Sequence, residues 1–268
     1  MAVSASPCGP TLSHVVAIER IGREELVERV LGQPEGFLAA LAAPTVLVVE
    51  GFHPRERVLA FRERALAQRR AEPPSWHACL DGVPDYHRIV DDYPKAWVKS
   101  RMHAHYFHRF NGNAELFAEL RDVFALKNAL AGEPADAFLD TVPSDGVIAR
   151  VVSNHYPRGG GYQAEHIDPA SRFARIQTII QASEPGVDFA TGGLYVRESE
   201  DAEPVAIDPQ SQLGDLLVLS PDVRHGVAPV DPDAELDWNA ADGRWMIMPI
   251  VIRSDHEADA GEKPRQVA

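Results

Sequence analysis

Apolar residues recur at helical spacing in two segments near the start of the chain. Residues 23–31 and 55–70 each place apolar side chains at helical spacing, which predicts two helices. Between them, residues 45–49 form the uninterrupted apolar run TVLVV, which is typical of a short buried strand. The first part of the chain is therefore predicted to be helical, with one strand inserted.

A third helix is predicted from Asn113 to Leu130. Asn113 is a candidate N-cap, and Gly132 followed by Pro134 supplies the stop signal. The preceding segment, residues 72–112, mixes proline, glycine, aromatic residues and histidine without a clear period. We predict that this segment forms long loops and short helices over one face of the molecule.

The pattern changes after Val142. Short apolar runs follow one another, separated by glycine, proline, aspartate and serine, with no helical spacing between them. These runs are residues 147–152, 176–182, 193–196, 205–207, 216–219 and 245–252. Short strands at such close spacing predict an all-β sandwich or barrel.

The complete pattern predicts an α+β fold in a single domain, residues 15–255. A helical part of about residues 15–142 is expected to pack against a double-sheet core of about residues 143–255. The two ends, residues 1–14 and 256–268, are poor in large apolar side chains and are predicted to be flexible tails.

Composition and charge argue against several classes of function. Hydrophobic residues make up 45% of the chain, enough for a packed core, and 26 basic against 40 acidic residues give a formal charge of −14. A field of that sign repels nucleic acid and anionic lipid. Cys8 and Cys79 are too few for a disulfide framework or a cysteine metal site. Since neither a signal-peptide pattern nor a span of ~18 apolar residues occurs, we expect a cytoplasmic protein that binds neither nucleic acid nor membrane.

A metal-binding pattern lies in the β-rich half. His166 and Asp168 are two positions apart, so an extended strand would point both side chains to one face. His225 follows the apolar run 216–219, where a barrel can return a neighbouring strand to the same place. Two imidazoles and one carboxylate on one side of an ion leave positions open for substrate and O2, as in non-haem Fe(II) oxygenases. An H-x-D pair alone also arises by chance in a chain with 11 histidines.

Further short motifs surround the H-x-D pair in a definite order. They are HYPRGGGY at residues 155–162, the apolar segment 175–182, GGLYV at 192–196, GDLLVL at 214–219, HGV at 225–227 and GRW at 243–245. In order and spacing the chain resembles the iron- and 2-oxoglutarate-dependent dioxygenases, in particular their prolyl-hydroxylase-like branch. The resemblance covers about residues 146–253.

This resemblance implies a double-stranded β-helix, also called a jelly roll or cupin-like fold, with the N-terminal helices packed on it. It implies Fe(II) bound by His166, Asp168 and His225, with 2-oxoglutarate as cosubstrate, O2 as oxidant and ascorbate as a stimulant. Arg244 takes the place of the basic residue that binds the far carboxylate of 2-oxoglutarate, which a guanidinium can grip with two parallel hydrogen bonds. We expect this charge to lack a partner until the cosubstrate binds. Arg253, at the far end of the same predicted strand, is the competing candidate.

Two departures from the family pattern bear on the site. Many relatives carry a tyrosine on the strand after H-x-D that helps to hold the cosubstrate, whereas this chain has Gln181 and Ala182. We therefore expect Tyr156 or Thr178 to supply that hydrogen bond. The second departure is an acidic, polar insert, residues 231–242, which we expect to lie over the site as a lid.

The expected reaction is hydroxylation of an unactivated C–H bond with release of succinate and CO2. Asp168 is retained where related radical halogenases carry glycine or alanine, which argues against halogenation. We expect a small-molecule substrate, either a free amino acid or a natural-product intermediate, with Arg158, Arg172 and Asp188 as candidate charged partners. Two other functions remain open: a protein or peptide side-chain hydroxylase and, from another class, a non-catalytic cupin-like metal-binding protein. The sequence is compatible with a monomer or a homodimer.

Overall fold

The computed structural model describes residues 16–42, 44–75, 85–91, 93, 98–142 and 146–254, so the predicted tails lie outside the described residues. Within these ranges the helices are α1 (Arg23–Gly32), α2 (Pro34–Leu41), α3 (Arg55–Ala71), α4 (Ala114–Glu119) and α5 (Arg121–Ala131). The strands are β1 (Ala17–Ile21), β2 (Thr45–Val49), β3 (Asp85–Ile89), β4 (Ser100–Phe107), β5 (Gly146–Pro157), β6 (Gly161–His166), β7 (Gln177–Gln181), β8 (Gly193–Arg197), β9 (Val205–Ala206), β10 (Leu216–Leu219), β11 (Arg224–Val230) and β12 (Gly243–Ser254).

The strands form two facing sheets that are continuous through β4. Their order is β1-β2-β10-β7-β12-β5-β4-β6-β11-β8-β9, with β3 paired to β4. One part of β4 pairs with β5, whereas Ser100 and Arg101 pair with β6, so this strand joins a larger sheet to a smaller one. The arrangement is the predicted double-stranded β-helix, with the helices placed on the larger sheet.

Side chains of the larger sheet alternate between two apolar layers. In β2, Val46 and Val48 point into the space between the two sheets, whereas Leu47 and Val49 point towards the helices. Strand β7 follows the same rule, with Ile179 in the inner layer. Because successive residues of a strand face opposite sides, this register decides which side chains reach the interior of the barrel.

The predicted helices correspond to α1 and α3, and the third predicted helix is divided into α4 and α5 at Leu120. Gly132 ends α5 with a φ of 74°, in the left-handed region that favours glycine. Asn113 takes the N-cap position, but its side chain does not cap the helix. Its amide instead donates to the carbonyl oxygens of His108 and Asn111.

The prediction of loops and short helices over residues 72–112 was wrong for the described part of this segment, which contains the strands β3 and β4. The polar and apolar alternation that marks a half-exposed strand is missing because β4 is buried on both faces. Its outer face carries His103 and His105, and its inner face carries Met102 and Ala104. Buried histidines on one face concealed the strand period.

No helix in the described part of the chain combines the length and the apolar character of a membrane span.

Candidate active site

The structure brings His166, Asp168 and His225 together, although they come from different elements. His166 ends β6 and His225 lies opposite it on β11, so the two are register partners. Asp168 follows the end of β6, where its backbone N–H donates to the Pro221 carbonyl at 3.0 Å. The expectation that both members of the H-x-D pair lie on the strand is thus corrected: the strand stops at the histidine.

The geometry of the three side chains suits one metal ion. The His166 Nε2 and Asp168 Oδ1 atoms are 3.6 Å apart, and His225 Nε2 lies 3.3 Å from Asp168 Oδ2. One potential ligand atom from each residue lies within 4.8 Å of the other two. Three ligands at ~2.0–2.2 Å from one ion in a facial arrangement are about 3 Å from each other, so the donor atoms need little movement.

Backbone contacts orient both imidazoles for metal binding. The Nδ1 atom of His166 lies 2.9 Å from the Ala164 carbonyl oxygen, and Nδ1 of His225 lies 2.8 Å from the Val223 carbonyl oxygen. A carbonyl only accepts, so each Nδ1 carries a proton, and each Nε2, which faces the Asp168 carboxylate, is the atom that can give its lone pair to a metal ion once it is deprotonated. Such outer contacts fix ring orientation in metal sites.

The charge state of Asp168 also fits a ligand. Burial alone raises the pKa of its carboxyl, but hydrogen bonds and charge interactions with His166 and His225 outweigh burial and hold this pKa well below its usual value. Burial likewise lowers the pKa of His166, yet the hydrogen bond to Asp168 and the Ala164 carbonyl leave it raised overall. Gln177 Nε2 donates to Asp168 Oδ2 at 2.6 Å and steadies the carboxylate from β7.

A cavity of about 500 Å³ opens beside Asp168. Apolar side chains from the inner faces of β4, β5 and β12 form much of its wall, including Met102, Val152, Met248 and Ile250. Walls of this kind exclude water and suit an apolar ligand surface.

Arg244 lies deep between the sheets and is fully buried. Its Nε donates to Asp208 Oδ2 at 2.6 Å and its Nη2 to Asp208 Oδ1 at 3.1 Å. Burial alone lowers the pKa of the guanidinium, but the Asp208 carboxylate leaves it raised. The expectation that only a bound cosubstrate would compensate this charge is corrected, because Asp208 already pairs with it. The Nη1 group has no hydrogen-bond partner among the described residues.

The Gly192-Gly193 pair makes room for Asp208. A side chain at Gly193, where φ is +99°, would clash with Asp208 Oδ2, and one at Gly192 would meet the Pro229 carbonyl. The backbone N–H of Leu194 donates to the same Asp208 oxygen at 2.7 Å. This motif therefore holds the carboxylate that orients Arg244.

Tyr156 lies beside Arg244 in the inner layer. The two are register partners, and the guanidinium carbon of Arg244 is 5.6 Å from the centroid of the Tyr156 ring. The Tyr156 hydroxyl donates to Gln163 Oε1 at 2.7 Å, and burial raises its pKa to about 12, so the phenol stays neutral. Its role as a cosubstrate ligand stays a prediction.

Thr178 is not in that interior, so its prediction as a cosubstrate ligand is corrected. It precedes the inner-layer residue Ile179 on β7 and therefore faces the helices. Its hydroxyl donates to the Pro249 carbonyl at 3.2 Å. A shift of one residue on a strand moves a side chain to the other face, and the sequence alone did not determine that parity.

The charged side chains expected to meet a zwitterion have protein partners instead. Arg158 pairs with Asp231 at 2.8 Å, and Asp188 pairs with Arg62 at 2.9 Å. Arg172 pairs with Glu133. None of the three predicted residues lines the cavity beside Asp168. The competing candidate Arg253 is exposed at the end of β12.

The insert 231–242 does not cover the cavity beside Asp168, so the prediction of a lid is also corrected. Trp238 packs edge-on against His103, with ring centroids 5.0 Å apart. The Arg69 guanidinium donates to the carbonyl oxygens of Asn239 and Ala240. The insert thus packs on the outer face of β4, and none of its residues lines the cavity.

Sequence reasoning missed three residues that complete this region: Gln177, Asp208 and Lys127. Gln177 sits at the start of a predicted strand, where an isolated polar residue is unremarkable, and Lys127 occupies a helix position where a lysine is usually exposed. Asp208 lies in a short 3₁₀ turn, Asp208–Gln210. Only the glycine pair of the GGLYV motif, a sign of close approach by another group, pointed to it.

No protein-family model matches the chain, and a search of curated proteins finds no match. Solved structures do match. Full-length thymine 7-hydroxylase of Neurospora crassa in complex with alpha-KG (2-oxoglutarate) and 5-formyluracil gives a TM-score of 0.53 at 13% identity, covering 94% of this chain and 89% of that one. The same protein with alpha-KG gives a TM-score of 0.52 at 14% identity, covering 94% of this chain and 90% of that one. A Caulobacter crescentus protein assigned to the 2OG-Fe(II) oxygenase family gives a TM-score of 0.50 at 14% identity, covering 90% of this chain and 88% of that one. The chain therefore shares the fold of these 2-oxoglutarate-binding and 2OG-Fe(II) oxygenase structures.

Proposed function

We propose that the chain is an Fe(II)- and 2-oxoglutarate-dependent dioxygenase that hydroxylates an unactivated C–H bond of a small molecule. The observation that carries the proposal is the cluster of His166, Asp168 and His225, whose donor atoms face one point in a double-stranded β-helix. Two nitrogen donors and one carboxylate on one side of an ion are the ligand set of non-haem Fe(II) oxygenases.

When bound at this cluster, Fe(II) with 2-oxoglutarate supplies the oxidising chemistry: O2 and 2-oxoglutarate give succinate and CO2, and the substrate C–H becomes C–OH. The chain itself binds and orients the metal, the cosubstrate and the substrate, and it excludes water from them. His166 and His225 present their Nε2 lone pairs, and Gln177 holds the Asp168 carboxylate.

We assign the far carboxylate of 2-oxoglutarate to Arg244. The Nη1 group of its guanidinium, which has no partner among the described residues, supports the assignment, because a buried donor without a partner costs free energy that a carboxylate would recover. Asp208 holds the other edge of the guanidinium and so orients Nη1. Tyr156 is the second candidate partner, provided that its hydroxyl turns from Gln163 to the cosubstrate.

A small-molecule substrate is favoured over a protein side chain by the cavity. Its volume of about 500 Å³ lies in the range of small-molecule sites, and strands wall it on several sides. The Neurospora crassa structure with alpha-KG and 5-formyluracil bound supports the same choice.

The proposal is tested by two measurements on the purified chain. Anaerobic addition of Fe(II) and then 2-oxoglutarate should produce a visible charge-transfer band, and O2 should then yield succinate without added substrate. A cupin-like protein that merely holds a metal would give neither the band nor succinate, and that result would refute the enzymatic proposal.

A further inference from the structure

Lys127 is a buried cation that the proposed reaction does not yet use. It projects from α5, and only 3% of its surface is exposed. Its Nζ donates to the Ile176 carbonyl at 2.7 Å and lies 3.5 Å from Thr178 Oγ1. No carboxylate among the described residues forms an ion pair with it.

Such a lysine is unfavourable for the fold. Lysine is almost never fully buried without an ion-pair partner, since removing the ammonium from water raises its free energy. Burial lowers the pKa of Lys127 to about 7, and the charge of Asp168 only partly opposes that shift. A lysine side chain buried here despite this penalty points to a ligand that would pair with its ammonium form.

Lys127 lines the same cavity as Asp168. It reaches the cavity where β7 and β12 separate, since only Met246 and Ile247 of β12 pair with β7. Past these pairs, the Thr178 hydroxyl spans the gap to the Pro249 carbonyl. The opening between the two strands thus brings a side chain from the helix layer to the cavity wall.

The charges around the cavity favour an anion. Among its described lining residues, Asp168 is the only carboxylate, and the proposed metal uses it. The lining cations are Lys127 and Arg150, and the neutral polar groups include Asn154 and Gln163. An anionic group of a ligand can therefore pair with a lining side chain, whereas a cationic group of a ligand cannot.

We propose that Lys127 binds a carboxylate of the substrate, whose apolar remainder lies against the inner faces of β5 and β12. This inference rests on the proposed function and narrows its substrate class to carboxylic acids with an apolar body. A free amino acid fits less well, because its ammonium group would meet no carboxylate among the described lining residues other than the metal ligand.

The test is calorimetric binding of straight-chain monocarboxylates and their matched primary amides to the protein loaded with Mn(II) and 2-oxoglutarate. The variants are Lys127→Met, Lys127→Arg and, as a matched control, the exposed lysine in Lys99→Met. We expect the parent to bind a carboxylate more tightly than its amide. Lys127→Met should lower the affinity for the carboxylate by roughly tenfold or more, as expected for loss of a charge-assisted hydrogen bond, and leave the affinity for the amide unchanged. Lys127→Arg should retain part of the preference, and Lys99→Met all of it.

Three results would overturn the inference. One is a parent protein that binds acids no better than amides while it still binds Fe(II) and 2-oxoglutarate, which leaves the proposed function intact. A second is a Lys127→Met protein with parental carboxylate binding. The third is a Lys127→Met protein that loses affinity for 2-oxoglutarate, because the lysine would then serve the cosubstrate. A parent that binds neither Fe(II) nor 2-oxoglutarate refutes the proposed function itself.

Discussion

At the scale of single residues, the site depends on side chains that are unfavourable to bury. Arg244 and Asp208 are both fully buried and pair with each other at 2.6 Å. Removing one partner of a buried pair leaves the other charge uncompensated and costs ~3–5 kcal/mol. Conservative substitutions are therefore needed to separate binding from stability.

Arg244→Lys should raise the KM for 2-oxoglutarate about tenfold or more while Fe(II) affinity is retained. Lysine keeps the charge that Asp208 requires, but it loses the planar fork that can hold Asp208 and a second carboxylate together. Steady-state kinetics and Fe(II) titration measure the two effects. Unchanged 2-oxoglutarate kinetics in a folded Arg244→Lys protein would reject the assignment.

Lys127→Met should stabilise the fold near neutral pH. The folded-state pKa of Lys127 is lowered to about 7 from 10.5, so the unfolded chain holds this proton more tightly. The loss of folding stability caused by burying the protonated lysine is fully present below pH 7 and disappears as the pH rises towards 10.5. The substitution also removes hydrogen bonds, which offsets part of this effect. We therefore expect the free energy of unfolding of Lys127→Met to exceed that of the parent by roughly 1–3 kcal/mol at about pH 7, and by less at about pH 9.5, as measured by urea unfolding. A constant difference at both pH values would contradict the burial argument.

At the scale of elements, strand register decides which predicted residues reach the site. The proximity of His166, Asp168 and His225 could be predicted from the sequence, because the order of the motifs around the H-x-D pair resembles that of a known metal site. Thr178 could not be excluded as a cosubstrate ligand, since the sequence does not show whether this residue or the next one on β7 points inward. In the structure the next residue, Ile179, points inward.

Strand β4 shows the same limit for a whole element. Its outer-face histidines are buried, since His105 Nδ1 lies 3.0 Å from Gln68 Oε1 of α3 and His103 packs on His155 and Trp238. Polar residues therefore occupy positions that normally mark an exposed face. The partner of Arg244 escaped prediction for a related reason. Asp208 belongs to a short turn, and only the fold brings it to β12.

Gly193→Ala should destabilise the chain by more than Gly186→Ala does. Both glycines have positive φ, +99° and +84°, but a Cβ at Gly193 meets Asp208 Oδ2, whereas one at Gly186 meets nothing within 4 Å. We expect Gly186→Ala to lower the free energy of unfolding by ~1 kcal/mol through backbone strain. Gly193→Ala should lower it by at least ~2 kcal/mol more, because it also displaces a buried carboxylate. Urea unfolding of both variants measures the difference. Equal losses would show that Asp208 can move freely.

At the scale of the whole molecule, the fold separates a helix layer from the layer that holds the site. The helices and the outer face of the larger sheet form one apolar cluster, and the space between the sheets holds the other. We propose that residues 15–255 form one domain on this basis. The net charge of −14 repels anions on average, so binding of an anionic ligand depends on local groups inside the protein, here Lys127 and the Nη1 group of Arg244.

Metal binding should stabilise the whole fold. A ligand that binds only the folded chain adds about 2.7 kcal/mol at a concentration roughly one hundred times its Kd. We expect Mn(II) to raise the melting temperature of the parent and to leave that of Asp168→Ala nearly unchanged, as measured by calorimetry. An equal shift in both proteins would place the binding site elsewhere.

Metal binding by His166, Asp168 and His225 can be observed in an anomalous difference map at the iron edge, from crystals soaked anaerobically with Fe(II) and 2-oxoglutarate. We predict one strong peak at ~2.0–2.3 Å from His166 Nε2, His225 Nε2 and an Asp168 carboxylate oxygen, by analogy with other first-row ions. A peak at any other set of residues, or no peak at this cluster under saturating Fe(II), would contradict it.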